Sequence, residues 1–380
     1  MRILVTGADG FVGRHLVRLL ASQQEHLVFA AGGPRRRAGP GTGEGADGTG
    51  DGDAAHGGAG GSGTSGEGGR DGPKAGGAGR VGGAGADGTG YDVAGEDMTW
   101  PGGGSVARVE RLALDLQDAA SVRAVVEATQ PHRVYHLAAA AATFGVDIGY
   151  YMEVNAVGAH RVGQAVLDLC GDSCRMLYVS SANVYDASLA YGRMDERTPL
   201  GPRNEYGVSK LAGEFLLRTL ESRGLDVRIA RPFNHTGPGQ GPGFLCPDVA
   251  LRLREALAEA GRGAGGRREV RIAAGRMDSV RDFCDVRDVV AAYVAMMERC
   301  PSGEILNVCS GEGVRAGDIM QELALAAGVE RLIVEEDARQ AGRAEHDVIV
   351  GSAQRLFDLT GWEPRIPLRQ TLQDLWDALA

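Results

Sequence analysis

The stretch RILVTGADGFVGRHLVRLLAS (2–22) decides the fold. RILVT (2–6) is an apolar run of strand length, and FVGRHLVRLLAS (11–22) carries its apolar residues at helical spacing. Between them stand Gly7, Gly10 and Gly13 in a G-x-x-G-x-x-G pattern. Glycines here permit a tight turn and let backbone N–H groups approach a pyrophosphate at the helix N-terminus. Alone the triplet is a weak signal, because ordinary strand-to-helix turns also use glycine. At the first strand of a βαβ unit it marks a dinucleotide site, with Gly7, Gly10, Phe11, Val12 and Gly13 as candidate cofactor contacts.

The alternation continues outward. HLVFAA (26–31), VERLALDL (109–116), RVYHLAAA (133–140), MLYVSS (176–181) and DVRIARPF (226–233) read as strands. AASVRAVVEAT (119–129), a segment over 152–170 and SKLAGEFLLRTLESRG (209–224) read as helices between them. This order predicts an α/β Rossmann fold, a doubly wound parallel sheet with crossover helices on both faces. Residues 1–233 are expected to form that domain. Residues 234–380, less regular and richer in Pro, Gly and Arg, are expected to form mainly a smaller substrate-binding lobe, with 281–300 returning to the Rossmann domain.

One segment breaks the pattern. Residues 32–105 hold half of the chain's 60 glycines and almost no aliphatic or aromatic side chains. They cannot bury enough apolar surface to offset ordering entropy, so they read as a disordered surface insertion. A loop tolerates such length because closure entropy grows slowly with it.

The 380-residue chain is 43% hydrophobic with a net charge of −10 and no long basic block, which argues against a nucleic-acid partner. Its six cysteines (170, 174, 246, 284, 300, 309) form no zinc constellation with histidines, so no metal is expected. They read as reduced thiols of a cytoplasmic protein. With no signal-peptide h-region and no bilayer-length apolar run, a soluble protein without a membrane partner is expected.

The second strand ends VFAAGGPRRR, with no acid for a ribose 2′-OH and with Arg35, Arg36 and Arg37 just beyond. Guanidinium groups there suit the 2′-phosphate of NADP(H), which is preferred; NAD(H) remains the alternative. Asp115, with Leu116, ends its strand where an adenine edge would lie, and Leu137, Ala138 and Ala139 follow His136 where a cofactor's middle would pass.

Downstream, SSANVYD (180–186) sits at a strand end, and EYGVSKLAGE (205–214) places Tyr206 and Lys210 one turn apart on one helix face. A phenol, with a reference pKa of about 10, is a poor proton carrier at neutral pH. A nearby ammonium lowers that value, and a Ser hydroxyl from the strand end can hydrogen-bond a substrate oxygen. Tyr and Lys at this spacing are common on helices that do no chemistry; the glycine turn and the strand-end serine give them weight here.

Together TGADGFVG, VYHLAAA, SSANVY, YGVSK, RPFNHTGPGQ and RDFCDVRDV resemble the extended short-chain dehydrogenase/reductase family of nucleotide-sugar epimerases, dehydratases and reductases. With the tail TGWEPRIPLRQTL, the likeness is greatest to GDP-mannose 4,6-dehydratases and the related GDP-4-keto-6-deoxymannose reductases. The resemblance implies Ser181, Tyr206 and Lys210 as the catalytic set. It implies Asn183 and Asn234, with His235 and Thr236 nearby, at the sugar-nucleotide entry, and Arg281 and Arg343 as clamps on its diphosphate. It also implies a homodimer, which the residues themselves do not select. Asp285 and Asp288 read as structural acids at a helix start. Dehydratases of the family resemble one another in a Glu two places after the catalytic hydroxyl; here that place is Asn183, and an amide is no general base. The expectation is therefore an NADP(H)-dependent reductase of a nucleotide-linked 4-keto-6-deoxyhexose. The alternative is a nucleotide-sugar 4-epimerase with tightly bound NAD. A non-catalytic cofactor sensor on the same fold is disfavoured by the intact Tyr206 and Lys210.

Overall fold

Ile3, Leu4 and Val5 of the first strand are buried from both sides, as a central parallel strand requires. The structure, a computed structural model, describes residues 1–23, 25–33, 108–141, 147–190, 192–260, 269–336 and 348–379. Arg35, Arg36, Arg37 and Arg343, and the glycine-rich insertion past Gly33, lie outside the described residues.

The chain runs β1 (Arg2–Thr6), α1 (Phe11–Ala21), β2 (Leu27–Gly32), β3 (Val109–Ala113), α2 (Ala119–Thr129), β4 (Arg133–His136) and α3 (Ile148–Tyr151). A π-helical turn (Met152–Val157) leads into α4 (Gly158–Cys170), then β5 (Arg175–Val179), α5 (Glu205–Glu221), β6 (Asp226–Pro232) and β7 (Asn234–Thr236). Next come α6 (Leu245–Ala260), β8 (Glu269–Ala274), β9 (Val280–Asp285), α7 (Val286–Arg299), β10 (Ile305–Val308) and β11 (Gly313–Arg315). The last are α8 (Ala316–Ala326), β12 (Arg331–Glu336), β13 (Val348–Ile349), α9 (Gln354–Thr360) and α10 (Leu368–Asp377).

Seven parallel strands make one sheet in the order β10-β6-β5-β4-β1-β2-β3, the doubly wound arrangement read from the sequence. The α1 and α7 side chains Leu16, Leu20, Tyr293 and Met297 fill one face with Ile3 and Val5. Val126, Val162, Val166 and Leu217, from α2, α4 and α5, fill the other with Leu4 and Val134. A separate core of Val249, Leu253, Ile272, Ile319, Leu323 and Leu372 joins α6, α8 and α10 to the β8–β12 pair.

Strand ends differ from the apolar runs for a reason of register. β4 stops at His136 because its partner β1 ends at Thr6, and β3 stops at Ala113 opposite Gly32. Beyond these points Leu137 and Ala139 face the cleft above the sheet, while Leu114 and Leu116 turn into the core under α2 and α4. Helix α5 starts at Glu205, earlier than its apolar periodicity, because Asn204 Oδ1 accepts the Gly207 N–H at 2.7 Å and caps it. Asp285 caps α7 through the Arg287 N–H, and Asp288 Oδ2 accepts from the Arg365 and Ile366 N–H groups at 2.9 and 2.8 Å. Asp288 thus ties the tail at 365–366 to α7. Among the described residues no helix is long and apolar enough to cross a membrane.

At the C-terminal ends of β5 and β6 lies a buried ion pair. Arg231 donates to both carboxylate oxygens of Glu214, at 2.9 and 2.6 Å, and Ser180 Oγ donates to the same carboxylate at 2.5 Å. The two charged side chains are 4% and 2% exposed. Removing one partner strands the other charge out of water. Arg231→Met is therefore expected to cost about 3–5 kcal/mol in urea unfolding, with most of it recovered in Arg231→Met/Glu214→Leu.

Candidate cofactor and catalytic site

The turn between β1 and α1 needs its glycines for two different reasons. Gly7 has φ +72°, and a Cβ on it would come within 2.6 Å of the Ala138 nitrogen. A Cβ on Gly13 would collide with the Gly7 carbonyl, so this glycine lets the helix close on the turn. Gly10, by contrast, faces open space apart from the Gly7 oxygen, leaving a cradle of bare backbone at the start of α1.

That cradle opens into a cavity of about 1040 Å³ above the C-terminal edge of the sheet. Among the sequence-predicted residues, Gly7, Gly10, Phe11, Val12, Gly13, Leu137 and Ala139 line it on the turn side. Ser181, Asn183, Tyr206 and Lys210 line its middle, and Asn234 and Arg281 its far wall. Ala138 stands behind Gly7. Asp115 and Leu116 are outside this lining: the Asp115 carboxylate accepts the Gln117 N–H at 2.9 Å, and Leu116 packs against Gly158. Arg35 and Arg343 lie outside the described residues.

Two elements position the candidate catalytic groups. Ser181 follows β5 and accepts the Asn183 N–H at 3.1 Å, which turns its hydroxyl into the cavity. Tyr206 and Lys210 are on the first turns of α5, whose capping is described above. Burial pushes the Tyr206 phenol up to about 12, against the opposing effect of its hydrogen bond with Ser181. Lys210, fully buried, is brought down to about 7 by burial, with Glu214 working the other way. Its Nζ lies over the Tyr178 ring, 4.5 Å from the centroid. The sequence reading expected the ammonium to act on Tyr206; here burial dominates the phenol and the amine rests on Tyr178. On the other strand end, His136 Nδ1 shares a 2.8 Å hydrogen bond with Thr6 Oγ1, and burial beside Lys210 holds the imidazole down to about 3. The ring is neutral.

Several lining residues escaped the sequence reading. Asp248 and Arg252 are four apart on α6, facing the cavity with Arg276 and Ser279. The spacing was visible, but nothing in it says which face of α6 is inward. The Tyr293 hydroxyl of α7 is fully buried at the cavity wall with no hydrogen-bond partner among the described residues. The loop after β7 is laid on the cofactor helix: Arg14 donates to the Gly239 carbonyl at 3.2 Å, His15 bonds the Pro238 carbonyl at 2.9 Å, and the Phe11 and His235 rings stack at 6.2 Å. The glycine-turn helix and the far wall are therefore joined by direct contacts.

A doubly wound sheet with a glycine turn on β1, a strand-end serine and a Tyr/Lys pair on the following helix defines an extended short-chain dehydrogenase/reductase, an enzyme acting on nucleotide sugars with a nicotinamide dinucleotide. Comparison narrows this: residues 103–375 match the family model described as GDP-mannose 4,6 dehydratase, and the chain belongs to that family. It is 39% identical over 225 residues to a GDP-6-deoxy-D-mannose reductase of Pseudomonas aeruginosa, covering 58% of this chain and 71% of the relative. It is 26% identical over 268 residues to a GDP-6-deoxy-D-talose 4-dehydrogenase of Aggregatibacter actinomycetemcomitans, covering 69% and 85%. Among solved structures, RMD from Pseudomonas aeruginosa complexed with NADPH superposes with a TM-score of 0.66 at 26% identity, covering 100% of this chain and 98% of the other.

The buried amine carries a cost in stability. From pH 7 up to 10.5 the unfolded Lys210 holds a proton that the folded one has lost, so its penalty is largest below pH 7 and fades as pH rises towards 10.5. Lys210→Met is expected to raise the thermal midpoint at pH 6, by about 2–4 °C for each kcal/mol relieved. Scanning calorimetry at pH 6 and pH 10 should show the gain at the first and little at the second.

Proposed function

We propose that the protein is a reductase of a nucleotide-linked 4-keto-6-deoxyhexose, most closely the GDP-linked sugar, working with NADP(H) in preference to NAD(H). One observation carries this. Of the described residues lining the cavity, only Asp248 bears a carboxylate, and that belongs to α6 with one oxygen bound to the Gly243 N–H at 2.7 Å. The place beside Ser181 where a dehydratase needs an acid is held by the amide of Asn183. Glu214, the carboxylate behind the site, is already spent on Arg231 and Ser180. Among the described lining residues no carboxylate stands beside Ser181 to take a proton from the sugar's carbon chain, while proton delivery to an oxygen has two hydroxyls. The reductase relative from Pseudomonas aeruginosa supports the same reading.

The bare backbone at Gly10 fits a dinucleotide pyrophosphate, and a bound reduced nicotinamide supplies the hydride that goes to sugar C4. The chain's own residues do the rest. Ser181 donates a hydrogen bond to the C4 carbonyl oxygen and polarises it. Tyr206, its phenol pushed up to about 12, keeps its proton while that oxygen is a ketone and yields it as the oxygen becomes an alkoxide. Lys210, resting over the Tyr178 ring while the phenol is neutral, is assigned to favour in its charged form the phenolate left one helical turn away. Asn234 and Arg281 hold the sugar and diphosphate against the far wall, and Asn183 orients the ring. With Arg343 they complete the substrate contacts that we assign.

A 4-epimerase with retained NAD would use the same hydroxyls. Purified protein mixed with NADPH and GDP-4-keto-6-deoxymannose is expected to consume the reduced nicotinamide stoichiometrically, followed by absorbance. Tyr206→Phe should lower kcat by about 10²–10⁴-fold. No consumption with NADPH or NADH would remove the keto-sugar assignment and leave the epimerase to be tested with unreduced nucleotide sugars.

A further inference from the structure

The last residue of β2 is where dinucleotide folds usually place an acid that reads the adenosine ribose. Here it is Gly32, paired with Ala113 of β3 and carrying no side chain. The space is not vacant. A Cβ on Gly32 would run into the carboxylate of Asp9, Oδ2 first. Asp9 belongs to the glycine turn, two residues after Gly7. The carboxylate that the second strand lacks is thus delivered to the same place from the first turn.

A cation comes with it. Arg111, on β3 beside Ala30 of β2, places Nη1 3.1 Å from Asp9 Oδ1. The two side chains are 39% and 61% exposed, open to a ligand in a way the buried pairs of the core are not. The Asp9 backbone is itself held, since Arg14 Nη1 donates to its carbonyl at 2.9 Å, and Ala8 N–H bonds the Ala31 carbonyl at 3.2 Å. Turn and strand end are locked together under the pair.

We infer that Asp9 and Arg111 together read the 2′ position of the cofactor's adenosine, Asp9 accepting from a 2′-hydroxyl and Arg111 binding a 2′-phosphate. The inference rests on the dinucleotide reading of the cleft and deepens it. A carboxylate alone accepts the ribose hydroxyl and repels a phosphate; a guanidinium within reach neutralises that carboxylate and offers the phosphate charge-assisted donors. With both present the site takes either nucleotide, and the balance between the two side chains sets the preference. Neither Asp9 nor Arg111 belongs to the arginine run that follows the strand.

The test is calorimetric titration of the full chain with 2′,5′-ADP and 5′-AMP, the adenosine halves of the two cofactors, alongside NADPH and NADH. A hydrogen-bonded charge contact of about 1.5–3 kcal/mol corresponds to about tenfold or more in affinity. Arg111→Ala should weaken 2′,5′-ADP and NADPH by that factor and leave 5′-AMP and NADH nearly unchanged. Asp9→Asn should move the ratio in the opposite direction, weakening NADH and sparing or tightening NADPH. If both variants keep the wild-type ratio of 2′,5′-ADP to 5′-AMP affinity while the cofactors still bind, the pair is not the reader and the cleft assignment stands. If the wild-type chain binds none of the four, the cleft assignment falls and the inference with it.

Discussion

The shared carboxylate of Glu214 is the contact on which the arrangement of the site depends. It joins three segments far apart in sequence: Ser180 at the end of β5, Glu214 within α5, and Arg231 near the end of β6. The guanidinium lies 4.8 Å from the Tyr185 ring, whose hydroxyl donates to Asn307 Oδ1 at 2.7 Å on the edge strand β10. Desolvating a charge pair so deep in the fold is costly, and continuum arguments make such pairs poor sources of net stability. What the pair offers is a fixed geometry. Ser180 neighbours Ser181, and Glu214 stands one turn beyond Lys210, which is one turn beyond Tyr206. Clamping those two ends sets the distance between the strand-end hydroxyl and the phenol, the quantity that proton delivery is sensitive to.

Charge in the surroundings follows the same economy. Lys210 is brought down by burial and kept from falling further by Glu214, while His136 beside it stays neutral, bonded to Thr6. Tyr178 occupies the space between them, its ring 5.9 Å from the imidazole and under the Lys210 amine. An aromatic face accepts a cation without contributing a competing negative charge. Burial and Glu214 thus act on the amine in opposite directions and leave it near neutrality, which suits the part proposed for it beside Tyr206.

Much of this was legible in the order of residues, for identifiable reasons. The glycine turn, the strand–helix alternation and the Tyr206–Lys210 spacing are local patterns, and local patterns survive translation into structure. What stayed hidden depends on contacts between distant segments. Strands β3 and β4 were read too long because an apolar run shows where burial continues, and only the neighbour's length shows where pairing stops. The helix before Cys170 begins at Ile148 and passes through a π-helical turn at Met152–Val157, a register change that no periodicity of 3.6 discloses. The strand end read as lacking an acid has one nearby in space, because Asp9 reaches it across the sheet edge from the turn. Asp115, expected at an adenine edge by its place at a strand end, has Oδ1 on the Gln117 N–H of its own turn, a local contact the strand pattern did not show.

Strand β10 adds a consequence for how the molecule is made. It closes the seven-stranded sheet against β6, and α7, just before it, covers α1. Residues that complete the first-formed face thus come some 280 positions later in the chain, after the whole of β7 to β9. During synthesis the apolar stripe of α1 and the open edge of β6 stand uncovered until α7 and β10 have left the ribosome. Partial chains ending near residue 233 would carry the entire glycine turn and the Tyr/Lys pair, but with a wet helix face and an unpaired strand edge. Such chains are candidates for chaperone capture rather than for a small, self-standing nucleotide-binding module.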